Sequence, residues 1–258
     1  MPSEGTIEYA LTRVQARHGM RLSEDDWRRL EASRDLGHYL EAVRMSALAG
    51  WVVSLDLTRD SHAIERSLRD AWRYYVERVA RWHPQVCQPW LAWLAWLPTL
   101  SLLAQLARPE PAPLWLLADS VCGPLAAGSP AERSQALQRT ALAPLAAAIG
   151  AHTSLVSAWR DHWQRLAPAS DAQQRPLIAT MLATIAQHAD ALARAADSAT
   201  APRQELHSRL ARLFRAAAGT PVASVCHLGL VALELERLRG GLIVRQLFGP
   251  RTPHTRAA

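Results

Sequence analysis

The sequence predicts an all-α protein, a multi-helix bundle. Apolar residues recur three and four positions apart through most of the chain, the spacing that gathers side chains on one helical face. The alternation of a half-buried strand is nearly absent. Of 258 residues, 49% are apolar, which excludes disorder for the bulk and suffices for a large core. The expectation is one helical domain over residues 1–258, with a seam between two packed halves near 108–130.

In the first segment Ile7, Ala10, Leu11, Val14 and His18 share a face, while Tyr9, Arg13 and Arg17 form a separate row at i, i+4, i+8. Gly19 ends that helix. Ser23 with Asp26 resembles a capping box and opens a short helix using Trp27 and Leu30. A helix through Leu36, Leu40, Val43 and Ala47 is expected to stop at Gly50. Beginning near Asp60 or Ser61, the residues Ile64, Leu68, Trp72, Tyr75, Val79 and Trp82 make a continuous stripe. Its outer face carries Glu65 with Arg69, Arg66 with Asp70 and Glu77 with Arg81, i,i+4 pairs of a solvated surface, and Pro84 closes it.

Trp90 to Ala107 is the most apolar stretch, with Trp90, Trp93 and Trp96 at three-residue spacing. A membrane span needs ~20 apolar residues, but Pro98 interrupts this one, and Thr99, Ser101 and Gln105 follow. It is expected as a buried, Pro-kinked central hairpin rather than a lipid-facing helix. Beyond it the prolines of 109–113, Cys122-Gly123-Pro124 and Gly128 mark the expected seam.

Ser129, Pro130 and Glu132 give a strong helix start. The second half reads as four or five helices. One runs from Leu137 to Ile149, kinked by Pro144. The next use Leu155, Trp159, His162 and Leu166; then Leu177, Met181, Ile185, Ala189 and Leu192; then Leu206, Leu210, Leu213 and Ala217. Gly219-Thr220-Pro221 breaks the chain before a last helix with Leu228, Val231, Leu235, Leu238 and Leu242. That helix is expected to loosen at Gly240-Gly241, and the tail beyond Pro250 to fray.

All 29 basic residues are arginine, and the net charge of +6 is spread along the chain without a basic block. That balance favours acidic partners without pointing to nucleic acid. Three dispersed cysteines, Cys87, Cys122 and Cys226, read as buried free thiols of a reducing compartment. The N-terminus lacks a basic region followed by an apolar one, so a cytoplasmic protein is expected.

No catalytic motif stands out. Ten histidines form no metal-ligand spacing; His152 with His162, or Cys226 with His227, come nearest. There is no nucleophile elbow. Gly240-Gly241 lies near a helix end, where the dipole repels anions. The carboxylate pairs are Asp25-Asp26 in a capping turn, and Glu234 with Glu236 on what reads as solvated helix surface. The expectation is a non-enzyme, without metal or cofactor. The tryptophans read as core, and the Tyr9, Arg13, Arg17 row as either an exposed binding ridge or an ordinary solvated face.

The first fifty residues resemble the start of the C-subunit family of V/A-type ATPases, whose eukaryotic V-type counterpart is the d-subunit. The resemblance rests on Tyr9-Ala-Leu-Thr-Arg13-Val14-Gln-Ala-Arg17, then Arg21-Leu22-Ser23, Leu30, Asp35-Leu36 and Leu40. The last helix is similar to the family's terminal Glu-x-x-Asn-Leu-Arg pattern through Glu234, Leu238 and Arg239, with Arg237 replacing Asn. The segment Leu100 to Arg108 keeps the shape of a family helix without its polar residues, and the chain is short for the family. The resemblance implies helical repeats in a funnel-like connector without catalysis of its own. That connector would link the proteolipid ring to the central rotor shaft, at the cytoplasmic side of the inner membrane. It would place Tyr9, Arg13, Arg17, Glu234 and Arg239 at contacts with neighbouring subunits or in packing between the first and last helices. Two rivals remain open: a helical adaptor without a rotor role, and an Arg-rich nucleic-acid binder whose arginines cluster on one face instead of pairing with acids.

Overall fold

In the computed structural model the described residues are 6–58, 60–108, 110–126, 128–151, 153–168, 174–194 and 200–249, and every regular element among them is helical. The all-α class is therefore as expected. The chain divides into two compact units, Met1–Trp72 with Asp171–Ala258, and Arg73–Ser170.

Helix α1 (Ile7–Gly19) buries Ala10, Leu11 and Val14 and is capped by the Thr6 hydroxyl. In α2 (Glu24–Glu31) the Ser23/Asp26 capping box forms in both directions, and Trp27 and Leu30 are buried. Helix α3 (Leu36–Arg44) ends well before Gly50. There the Ser46 hydroxyl donates to the Val43 carbonyl (2.7 Å) and accepts from the Leu48 amide (3.1 Å), a local turn that competes with the helix. Asp60 caps α4 (Ser61–Arg81) through the Ala63 amide, and the whole stripe from Ile64 to Trp82 is buried.

In the second unit α5 (Gln88–Ala92), a 3-10 stretch Trp93–Thr99 and α6 (Leu100–Leu106) follow without reversal. The expected hairpin is instead one helical rod, tightened around Pro98, which lacks the N–H an α-helical bond needs. The segment Gln85–Leu106 is long and apolar enough to cross a membrane. Nine of its apolar residues, from Trp90 to Leu106, are nonetheless buried within the fold and support the core reading. Short α7 (Leu114–Leu117) leads to α8 (Pro130–Leu137), where the Ser129/Glu132 capping box is complete.

The expected seam at 108–130 lies inside the second unit, and the units part instead at Trp72/Arg73 and Ser170/Asp171. Arg133 gives the reason. Its guanidinium donates to the carbonyls of Leu106 and Arg108, binding the chain before the prolines to the helix after them. The expected helix Leu137–Ile149 is also broken. Thr140 closes a turn on Leu137, Pro144 sits in a 3-10 turn Ala143–Leu145, and α9 (Ala146–Gly150) follows.

Helix α10 (Leu155–Arg165) faces the tryptophan segment. The Trp93 indole donates to the Trp159 carbonyl (3.1 Å), the Trp159 indole to the Trp93 carbonyl (3.3 Å), and the Trp163 indole to the Trp90 carbonyl (3.0 Å). Trp90 stacks on Trp163 at 5.3 Å and Trp159 on Trp163 at 5.7 Å. These four tryptophans are core, and carbonyls satisfy the buried N–H groups of Trp93, Trp159 and Trp163.

The first unit is completed by α11 (Gln174–Arg194), α12 (Thr200–Ala216) and α13 (Pro221–Phe248). Helix α13 does not loosen at Gly240-Gly241. A Cβ on Gly241 would meet the Tyr39 ring, 2.8 Å from Cζ, so the bare backbone is what lets α3 lie against α13. The side chain of Leu192, with His152, residues 1–5 and the tail from Pro250, lies outside the described residues.

Candidate functional site

The candidate site lies in the first unit, where α1 and the α1–α2 turn meet α12 and α13. Tyr9, Arg13 and Arg17 stand exposed along α1, opposite in character to its buried Ala10, Leu11 and Val14. The Arg13 guanidinium donates to the Tyr9 hydroxyl and lies 5.3 Å from the centre of its ring. That contact holds the two as one aromatic-cationic surface. Arg17 projects beyond it, exposed and without a carboxylate partner among the described residues.

Beneath this row is a polar cluster within an apolar interface. Arg21, in the turn after α1, places Nε 3.0 Å from Glu234 Oε1 on α13, an ion pair without hydrogen-bond alignment. Its Nη2 lies 3.3 Å from His207 Nε2 on α12. His18 stacks on Phe214 at 3.9 Å and meets His227 edge-on at 5.9 Å. Burial pushes the Glu234 carboxyl up to about 7, opposed by Arg21. Burial, followed by the nearby charges of His18, Arg21 and Arg17, lowers the His227 imidazole to about 3. His18 and His207 are also lowered, each by burial first and then by Arg21. The cluster sets one carboxylate against one arginine and three histidines, so it gains positive charge on acidification. Alongside it Leu11, Val14, Gln15, Phe214, Arg215 and Ala218 line a cavity of about 230 Å³.

The remaining arginines of α13 fasten this unit together. Arg237 grips both Glu24 (2.9 Å) and Glu31 (2.6 Å) of α2 and lies over the Trp27 ring. Arg245 donates to the Ser33 and Glu31 carbonyls and lies 4.0 Å from the centre of the Tyr39 ring. Arg239 pairs with Glu65 on α4 at 2.8 Å.

Of the five residues expected at subunit contacts or in packing between the first and last helices, the structure puts Tyr9, Arg13 and Arg17 together on one exposed face. Glu234 is instead buried, not the solvated surface its position beside Leu235 suggests, and Arg239 is exposed but engaged with Glu65. Glu236 likewise pairs with Arg203 at 2.5 Å. Sequence reasoning missed Arg21, His207 and His227 as members of one cluster. Arg21 carried the one available signal, as part of the Arg21-Leu22-Ser23 resemblance.

Among the described residues no group of three or more His, Cys, Asp or Glu is arranged to hold a metal. Cys87, Cys122 and Cys226 are buried and form no disulfide with one another, and burial pushes Cys226 up to about 12, far from a reactive thiolate. No protein-family model, curated protein or solved structure matches the chain.

Proposed function

We propose that this chain acts by docking, as a non-catalytic helical connector on which other protein subunits seat. The observation that carries the reading is the Tyr9, Arg13, Arg17 row. It stands exposed on the surface of α1, away from the buried stripe of that helix. Arginine and tyrosine on an exposed face are well suited to contacting carboxylates and apolar rims of a partner.

The resemblance of the first fifty residues and of the last helix narrows the connector to a rotary V/A-type ATPase. In that role helical repeats would form a funnel between the proteolipid ring and the rotor shaft, peripheral to the inner membrane on its cytoplasmic side. The adaptor without a rotor role is the second reading. Glu234, buried against Arg21, fits the alternative of packing between the two ends of the chain, and Arg239 pairs with Glu65 while staying exposed. Neither residue is then left to dock a rotor subunit, as the adaptor reading also allows.

The pairing of Arg28 with Asp25, Arg44 with Glu41, Arg203 with Glu236 and Arg237 with Glu24 and Glu31 speaks against the nucleic-acid reading. Purification of the tagged chain from its native host tests the narrower proposal. Proteolipid-ring and shaft subunits should accompany it; recovery of other proteins alone would leave the adaptor.

A further inference from the structure

Three histidines meet where α1 packs on α12 and α13. His18, near the end of α1, stacks on Phe214 at 3.9 Å and meets His227 edge-on at 5.9 Å. Its Nδ1 is buried without a hydrogen-bond partner. His207 on α12 sets Nε2 3.3 Å from Nη2 of Arg21, in the turn that follows α1. A neutral His207 with its proton on Nδ1 accepts from that guanidinium, whereas a protonated His207 has only donors. Protonation thus turns a hydrogen bond into a meeting of two cations.

Among the described residues the charged groups facing the three imidazoles come from five places. They are Arg17 on α1, Arg21 in the turn, Glu24 on α2, Arg215 on α12 and Glu234 on α13. Arginine already holds both carboxylates: Glu234 lies against Arg21, and Arg237 grips Glu24. A proton added to His18 or His207 therefore enters a site whose cations outnumber its carboxylates.

We propose that His18 and His207 form an acid-sensitive latch, which seats α1 on α12 and α13 near neutral pH and loosens it on acidification. Both imidazoles are lowered, by burial first and by Arg21 next, so their neutral forms favour the packed state. That contribution is complete above pH 6.5 and fades as pH falls. Glu234, raised to about 7, and His227, lowered to about 3, act in opposite directions over the same range and offset each other. His18 and His207 are left to set the sign of the response. The row of Tyr9, Arg13 and Arg17 rides on α1, and the latch does not depend on what docks there.

The competing role is a passive cluster that acid disrupts only together with the whole fold. Amide hydrogen exchange of the full chain at pH 7.5 and pH 5.0, with times scaled for the slower intrinsic exchange in acid, separates the two. Amides of α1 should lose at least tenfold protection at pH 5.0, while those of α10 and the middle of α13 keep theirs. The double variant His18→Phe/His207→Gln keeps a ring on Phe214 and an acceptor for Arg21 but takes up neither proton. It should protect α1 equally at both pH values. If it does not fold, His207→Gln alone carries the test and should shrink the loss at least threefold. Equal protection of α1 in the parent chain, a loss shared by α10 and α13, or a loss undiminished in the variants would each overturn the latch.

Discussion

Arg21 Nε lies 3.0 Å from Glu234 Oε1, with the two side chains only 13% and 9% exposed. The contact joins the turn after the first helix to the middle of the last, across almost the whole sequence. A buried pair adds little over a well-packed apolar pair, but breaking it from one side strands a charge. Arg21→Met should therefore lower unfolding free energy by about 3 kcal/mol near pH 8, where Glu234 is ionised. Near pH 5 the loss should be smaller, because protonation neutralises the stranded carboxylate. Urea denaturation at both pH values measures this, and equal losses would contradict it.

The same cluster predicts two opposed pH dependences. Glu234 is raised from 4.5 to about 7, so its protonated form favours the fold. That contribution is complete below pH 4.5 and is lost as pH rises through 7. His227 is lowered from 6.5 to about 3, so its neutral form favours the fold. Its contribution is complete above pH 6.5 and is lost as pH falls toward 3. Relative to the parent chain, Glu234→Gln should gain stability between pH 4.5 and 7, and His227→Leu as pH falls from 6.5. Melting curves across the range would show parallel profiles if neither residue titrates as described.

Two neighbouring glycines in α13 should respond in opposite directions to the same substitution. Nothing lies within 4 Å of a Cβ placed on Gly240, so Gly240→Ala should stabilise by up to about 1 kcal/mol through helix propensity. At Gly241 that Cβ would lie 2.8 Å from Tyr39 Cζ. Tyr39 is fully buried with Arg245 over its ring, so it has little room to move. Gly241→Ala should cost about 1–3 kcal/mol from overpacking. Thermal melts of the two variants check the pair.

Much of the helical framework was legible because its signals are local. The Ser23/Asp26 and Ser129/Glu132 boxes and the Ile64-to-Trp82 stripe each declare themselves within a few turns. What local pattern could not show was where a polar side chain would end a helix or join distant ones. Ser46 stops α3 by bonding its own backbone, and Arg133 draws the proline-rich segment into the second unit. Glu234 reads as surface because the packing that buries it and its partner Arg21 come from distant parts of the chain. The Tyr9, Arg13, Arg17 row was legible because exposure follows directly from the period of α1.

The tryptophan arrangement predicts a directional loss. Trp159→Phe keeps the stacking partner for Trp163 but removes the indole N–H from the Trp93 carbonyl. A buried carbonyl left short of its donor should cost about 1–3 kcal/mol. Loss below that range would mean another donor reaches Trp93.

Docking through the exposed row of α1 is tested most directly by the double variant Arg13→Glu/Arg17→Glu. Neither arginine belongs to the buried stripe of α1, and exposed charges seldom contribute more than about 1 kcal/mol to folding. Purified in parallel from the native host, the parent chain should retain proteolipid-ring and shaft subunits. The variant should lose them while its melting curve stays close to the parent's. Equal recovery of partners by both chains, or a variant that melts far earlier, would contradict docking through this row.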